Sequence, residues 1–484
     1  MTAATSYHRG SPVLVKATGR GALLAGWMGL LLVAAASAAL LGPWALMLPV
    51  YVFGIFSAIV NPRATAAGLL IIGISLEPAA IDFTGPIANA FWQMPPGFEN
   101  AFKITTSPIE VVLYITTISA LVTIPSRTRL PLIAWAVPLV MVMGFAYGAF
   151  KGGEINLGYN EGRGLIAGTA MFVLAVRVLP SNLNSLVKPL IIGESILAVT
   201  IILRYIVFIR GNRLTVPVEF AFSHEGSVIL GVGFVVGMLA IIRENATISQ
   251  RMKAAAYSVL ILAAMIASGR RAATLVLLVG GLSIGALLFP RRPMLVILTA
   301  IPLALAGSVY LAAYWNQEYG AIAQPARAIR SQFDPTIRDE SSDDYRTIEK
   351  YDVIQTIRVN RLFGVGFGQP FYEFQPLPNL GSFWSLQKYT PHQNILWLWL
   401  KMGILGIAVV LGFAAAALGR CRTAMRDAAS NEEWLAAAVG FTVIVMFLMY
   451  STVDLGFIGP RSLAPAAIAA ALAFTLKSGA RTTE

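Results

Sequence analysis

Three histidines occur in the chain, His8, His224 and His392, and His392 stands where it could do acid–base work. It follows Pro391 and precedes Gln393-Asn394 and the apolar run that begins at Ile395. An imidazole titrates near neutral pH, so a histidine at the edge of an apolar helix, facing a cavity, can take a proton from a hydroxyl. In the same place it can equally cap the helix start or bond a loop carbonyl. The second chemical signal is arginine. Arg270 and Arg271 sit side by side in a very short break between the apolar runs 254–268 and 272–289. Arg204, Arg210 and Arg213 flank another break, and Lys151 and Arg163 a third. A guanidinium keeps its charge and offers a planar fork of donors that matches a phosphate. Each cation can instead snorkel to headgroups or pair with a loop acid such as Glu154, Glu161 or Glu219. Two adjacent arginines in so short a turn favour a bound anion, and at a membrane edge that anion reads as a lipid pyrophosphate.

Other chemistries have less material. One cysteine, Cys421, excludes a disulfide framework and a cysteine metal cluster, and three histidines leave little for zinc. Asp339, Glu340, Asp343 and Asp344 form an acidic cluster, but its Ser-rich setting reads as a solvated surface. Gly364, Gly366 and Gly368 lack the strand and helix of a dinucleotide site and read as tight turns.

These residues need elements to hold them. The 484 residues are 57% hydrophobic and only 12% charged, about half the charged share of a soluble chain. The net charge of +12 raises nucleic acid as a partner. In so apolar a chain the cations are better read as topology signals, with no nucleic acid involved. Apolar runs fall near 21–41, 43–60, 65–81, 108–124, 131–150, 163–179, 187–208, 225–242, 254–268, 272–289, 293–315, 394–419, 433–452 and 461–476. None alternates as a barrel strand would, so these are helices. The first is long enough to span a bilayer rather than to be cleaved as a signal peptide. The expected fold is all-α, a polytopic bundle of about 12–14 transmembrane helices. With both termini cytoplasmic, the inner loops collect eighteen Lys and Arg against five acids. Residues 1–315 then hold the first eleven spans, 316–393 one large extracytoplasmic loop, and 394–484 the last three spans. That loop carries eight basic and nine acidic residues, too long a stretch to lack structure. Within it, Ile348, Tyr351, Ile354, Ile357 and Leu362 have helical spacing and predict an amphipathic helix over 345–362. Glu194 and Lys401 read as polar glue between helices, and Asp454 and Arg461 as a pair at the last outer turn.

The residues around His392 also resemble a family. His392-Gln393, nine residues, Gly403, two residues and Gly406 fit the O-antigen ligase pattern. Asn360-Arg361-Leu362-Phe363-Gly364-Val365-Gly366 is similar to that family's Asn-Pro-Leu-Phe-Gly-Val-Gly segment, with Arg361 in place of proline. Ala267-Ser268-Gly269-Arg270-Arg271-Ala272-Ala273 looks like its Ser-Arg-Gly-Ala turn, with Arg271 on the family arginine and Arg270 placed to share its role. Over about 260–410 the chain thus resembles the O-antigen ligase and Wzy-type polymerase superfamily, whose fold is GT-C-like.

The resemblance implies an inverting glycosyl transfer without metal or cofactor, at the outer face of a bacterial inner membrane. The donor would be a glycan on undecaprenyl pyrophosphate. The acceptor would be another lipid-linked repeat in a polymerase, the expected activity, or lipid A core in a ligase. His392 would be the base. Arg271, Arg270, Arg210, Arg213 and Arg163 would bind pyrophosphate, and Gln393, Arg346 and Tyr345 would position acceptor and loop. Membrane lipids and other members of a polysaccharide assembly pathway are the expected partners. A related enzyme class holds a divalent metal on carboxylates of the first outer loop, which here is only Leu41-Gly42-Pro43. The non-enzyme alternative is a lipid-glycan flippase or transporter. A flippase would line the mid-membrane with charge, whereas a transferase would gather Arg271, Arg210 and His392 in one outer cleft.

Overall fold

The computed structural model describes residues 47–77, 85–93, 106–125, 128–179, 184–209, 222–317, 320, 322–335, 337–379 and 385–476. Among them the chain forms helices and no strand. In order these are α1 (Met47–Val60), α2 (Pro62–Ser75), α3 (Gly85–Trp92), α4 (Pro108–Thr123), α5 (Leu132–Phe150), α6 (Ile155–Val178) and α7 (Asn184–Arg204). A π-turn, Tyr205–Ile209, ends α7. Then come α8 (Gly226–Ile241), α9 (Ile248–Ala267), α10 (Arg271–Leu288), α11 (Pro293–Tyr314), α12 (Gln324–Arg330) and α13 (Ile337–Val359). The last three are α14 (Asn394–Arg426), α15 (Asn431–Tyr450) and α16 (Pro460–Thr475).

Every apolar run from 43–60 onward coincides with a helix, and the run 21–41 lies outside the described residues. Among the described residues, six helical stretches are long and apolar enough to cross a bilayer: α5, Leu186–Val207, α10, α11, α14 and α15. One boundary needs correcting. The run 163–179 is the second part of α6, which starts at Ile155, so Arg163 sits inside a helix and not beside a loop. The connection from α5 is only 151–154. The chain leaves α5 through Gly152 and Gly153, and a short turn suffices before α6 resumes.

Polar start signals set several helices. Ser107 and Glu110 form a reciprocal capping box on α4, and Thr247 and Gln250 do the same on α9. Small residues let the spans approach. Gly158, Gly162, Gly164 and Gly168 of α6 are buried, against the Phe367-Gly368 backbone, Phe145 of α5, the turn before α16 and Leu463 of α16 respectively. A Cβ on Gly164 would lie 2.2 Å from the Ile458 carbonyl oxygen. Close approach of this kind is how helices gain packing where lipid is as apolar as leucine.

Between α11 and α14 the chain returns to the bundle, and α13 packs on α14. The expected amphipathic helix is present, but its buried face is rotated. Tyr345, Glu349, Asp352, Val353, Thr356 and Ile357 are buried, while Tyr351 is 43% and Leu362 65% exposed. The reason lies in the following segment. Its backbone N–H groups need acceptors, and the helix turns a polar stripe to them. Asp352 Oδ1 accepts from Phe374 N (3.1 Å) and Gln375 N (3.0 Å). Thr356 Oγ1 accepts from Tyr372 N at 2.9 Å.

The glycine segment then threads the bundle. Gly366 has φ +88°, and a Cβ there would meet Gly148 Cα of α5 at 2.3 Å, so only glycine fits. α14 is kinked at Gly403, whose φ of +67° and ψ of −169° break the helical ladder. The freed groups are taken up by the loop: Val365 N donates to Leu400 O (2.7 Å), and Ile404 N to Arg361 O (3.1 Å). Beside them Lys401 of α14 and Glu161 of α6 form a fully buried ion pair at 2.7 Å. Glu161 also accepts from Gly368 N at 2.6 Å, and Lys401 donates to the Gln369 carbonyl. Lys401 therefore joins helices, as expected, and also clamps the loop. Glu194 of α7 accepts from Tyr257 of α9.

Candidate functional site

His392 lies two residues before α14, at the end of the bundle on which α13 rests. It does not cap that helix. Its backbone N donates to Glu349 Oε2 at 2.9 Å, and its Nδ1 lies 3.1 and 3.2 Å from the two oxygens of the same carboxylate. An ionised carboxylate only accepts, so Nδ1 carries the proton and the basic lone pair is on Nε2. The Glu349 side chain is 2% exposed and that of His392 20%, so the carboxylate is withdrawn and the ring reachable. Tyr345 stands one turn before Glu349 on α13 and meets the His392 ring edge-on, with centroids 5.9 Å apart. Burial, and then the charge of Glu349, push the Tyr345 phenol up to about 12. Gln393 occupies the N-cap position without a side-chain cap bond.

The arginine turn is as tight as its sequence predicts: α9 ends at Ala267 and α10 begins at Arg271. The two arginines face different groups. Arg271 is directed towards α13, where its charge feels Asp343 and Arg346. Arg270 donates through Nε to the Phe222 carbonyl (2.9 Å) and through Nη1 to His224 Nε2 (3.0 Å). His224 in turn holds Asp454 through Nδ1 at 2.7 Å. Burial alone would raise the Asp454 carboxyl, but the hydrogen bond from His224, the Leu455 N–H and the nearness of His392 hold it below its usual range. Asp454 is thus within electrostatic reach of both histidines, and Arg270, His224, Asp454 and His392 share one neighbourhood.

The remaining sequence-predicted residues divide. Arg346 lies within electrostatic reach of Arg271. Arg163 is paired with Glu110 of the α4 capping box at 3.0 Å. Arg204 forms a buried pair with Glu77, 2.5 Å apart. Arg210 and Arg213 lie outside the described residues. Asp454 and Arg461, expected to pair with each other, have other partners. Arg461 donates to the carbonyls of Gly73 and Ile74, both at 2.9 Å, and lies over Trp92. Among the described residues, no three His, Cys, Asp or Glu side chains form a metal-binding group.

Sequence reasoning missed Glu349 and the use of His224. Glu349 is one helical turn after Tyr345, so the signal was there once Tyr345 was placed. His224 had a positional signal: it precedes α8 on the side of the bundle where α9 hands over to α10.

Residues 256–411 match the family model described as O-Antigen ligase. That stretch runs from α9 through the arginine turn, α13 and the glycine segment to His392 and the kink at Gly403. It is roughly a third of the chain and contains both arginines, Glu349 and His392. No curated protein matches the chain.

Proposed function

We propose, for a chain whose residues 256–411 support membership of the O-antigen ligase and Wzy-type polymerase superfamily, that it is an inverting membrane glycosyltransferase. It joins undecaprenyl-pyrophosphate-linked glycan repeats at the outer face of the bacterial inner membrane. The observation that carries this reading is the His392–Glu349 pair, a reachable imidazole held by a buried carboxylate just ahead of α14.

In the proposed step an acceptor sugar hydroxyl approaches His392 Nε2. The proton passes to Nε2 as the hydroxyl oxygen forms a bond to the donor's anomeric carbon. The bond from that carbon to the pyrophosphate oxygen breaks, and its electron pair leaves with the pyrophosphate. Glu349 offsets the imidazolium charge and keeps the ring oriented. Arg271 and Arg270, with Arg210 and Arg213, stabilise the leaving pyrophosphate, because fixed cations are effective where charge develops. Arg346, whose charge Arg271 feels, adds positive field on the α13 side. Gathering of Arg270, Arg271 and His392 at one end favours transfer over a flippase, whose charges would line the span.

The second reading is ligation of a finished chain to lipid A core, which the family match supports equally. Both readings use the same parts and differ in acceptor. A gel of surface polysaccharide from a deletion strain separates them. Complementation by wild type that restores long lipid-linked chains, with single repeats left by His392→Ala and Arg271→Ala, supports polymerisation. Long chains left on the carrier lipid without the protein indicate ligation. Full polymer with His392→Ala would remove the base assignment.

A further inference from the structure

Irregular backbone lies beside two spans where the large loop comes back to the bundle. α13 ends at Val359, and the chain turns through Asn360-Arg361-Leu362-Phe363 to Gly364, whose φ is +68°. This tip does not rest on the end of α14. Ile404 N donates to the Arg361 carbonyl at 3.1 Å, and Trp399 Nε1 donates to the same oxygen at 3.0 Å. Trp399 and Ile404 stand 5 and 10 residues after Asn394, the first residue of α14, so about 8–15 Å along its axis at about 1.5 Å per residue. α5 gives a second ruler. Phe367 N donates to Gly144 O at 3.2 Å, and the Phe363 and Tyr147 rings lie 5.7 Å apart. Gly144 and Tyr147 are on the last two turns of α5, which ends at Phe150. Both α5 and α14 are long and apolar enough to cross a bilayer, so the tip lies below their ends, at the depth of a leaflet.

Two features of the tip suit that depth. Its backbone turns inward. In hydrocarbon an irregular segment persists only where protein takes up its N–H and C=O groups. Here Gly364 N donates to Asn360 O, Val365 N to Leu400 O, Phe367 N to Gly144 O and Gly368 N to Glu161 Oε2. Its apolar side chains turn outward. Val359 is 70%, Leu362 65% and Phe363 53% exposed. On the flanking spans, Phe150 of α5 and Leu405 of α14 are exposed as well, as side chains that meet lipid are. The other end of α13 shows charge instead, with Glu340, Asp344 and Lys350 exposed. Arg358 and Arg361, also exposed, have stems long enough to carry their charge back to headgroups. We propose that residues 359–364 form a re-entrant tip that dips into the leaflet on the His392 side, with Leu362 and Phe363 among the acyl chains of phospholipids. The large loop is then not wholly outside the membrane, and the helix that brings Glu349 to His392 ends in lipid.

Insertion of the tip is independent of the glycosyl transfer proposed above, and depth alone tests it. Nitroxide labels are placed on single cysteines in full-length Cys421→Ala protein, reconstituted in phosphatidylcholine–phosphatidylglycerol liposomes. Oxygen concentrates among acyl chains and a neutral nickel chelate stays in water, so the ratio of their collision rates reports depth. Leu362→Cys and Phe363→Cys should give an oxygen-to-nickel ratio several-fold above that of Glu340→Cys. The ratio should approach that of Leu282→Cys, an exposed position on α10. A ratio as low as that of Glu340→Cys would place the tip in water and overturn the proposal. Weak collision with both reagents would mean that another protein surface, such as a second copy of this chain, covers the tip, and would overturn it as well. Each site is read in protein whose thermal unfolding matches that of Cys421→Ala, and Val359→Cys supplies a third site if either of the others fails to fold.

Discussion

His392 was legible because a histidine at an apolar edge is rare in a chain with three. Its partner was not, because an acid in a charged helix carries no mark of burial. The structure makes the partner testable. His392→Ala should lower transfer by about 10²–10⁴-fold, the usual worth of a positioned base. Glu349→Gln should also lower it, by about 10²-fold or more, because a carboxamide no longer offsets the imidazolium and can impose the wrong tautomer. Turnover of a lipid-linked repeat in proteoliposomes, at matched protein amounts, checks both. Wild-type turnover by Glu349→Gln would reduce Glu349 to a loop anchor. Tyr345 offers a pH test. Its phenol is pushed up to about 12, so it stays neutral until the pH rises through that value. Tyr345→Phe is therefore expected to leave the shape of the rate profile unchanged between about pH 6 and pH 9. A new basic limb or a lost one in that window would show that the phenol ionises during the cycle.

Among the helices, period and length showed where each lies but not which way α13 faces. Ile348 and Ile354 gave the apolar period, yet the side that docks is the one carrying Glu349, Asp352 and Thr356. Those acceptors are needed by Tyr372, Phe374, Gln375 and His392, whose N–H groups come from a loop that no periodicity describes. The glycines were legible as turns, and their depth in the bundle was not. Gly403 is the sharpest case. A Cβ there would lie 2.0 Å from the Leu362 carbonyl oxygen, in a backbone region that L-residues rarely enter. Gly403→Ala should cost on the order of 1–3 kcal/mol or more, read as a lower unfolding temperature in detergent, and should loosen the loop that precedes His392. The Lys401–Glu161 pair predicts a different pattern. Lys401→Met alone leaves a buried carboxylate unpaired and should cost about 3–5 kcal/mol. Glu161→Gln added to it removes that charge and still accepts from Gly368 N, so the double variant should recover much of the loss. Equal instability of single and double variants would mean that the ammonium contact with Gln369, and not the charge balance, holds the loop.

For the whole molecule, the proposed chemistry depends on which side of the membrane the His392 end faces. Lys and Arg crowd the connections assigned to the inside, including Arg243, Arg251, Arg291, Arg292 and Arg426. In the structure these residues are engaged at the end opposite the catalytic candidates. Arg292 bonds Glu244, Arg243 pairs with Glu432, and Arg291 reaches the Met425 carbonyl. Such positive charge sets orientation because short basic loops resist translocation. The arginines at the other end oppose that bias, and their burial and partners give the reason they are tolerated: Arg270, Arg204 and Arg461 are all held by carbonyls or acids. The orientation can be measured directly. Cys421 is buried, so the chain needs only Cys421→Ala to become a clean background. Glu340 on α13 and Asn245 between α8 and α9 are both exposed. A membrane-impermeant maleimide added to intact spheroplasts should label Glu340→Cys and spare Asn245→Cys until the cells are opened. The reverse pattern would put His392 and the arginine turn in the cytoplasm, where a lipid-linked repeat has not yet crossed the membrane, and the outer-face reaction would have to be abandoned even though every distance within the site stayed the same.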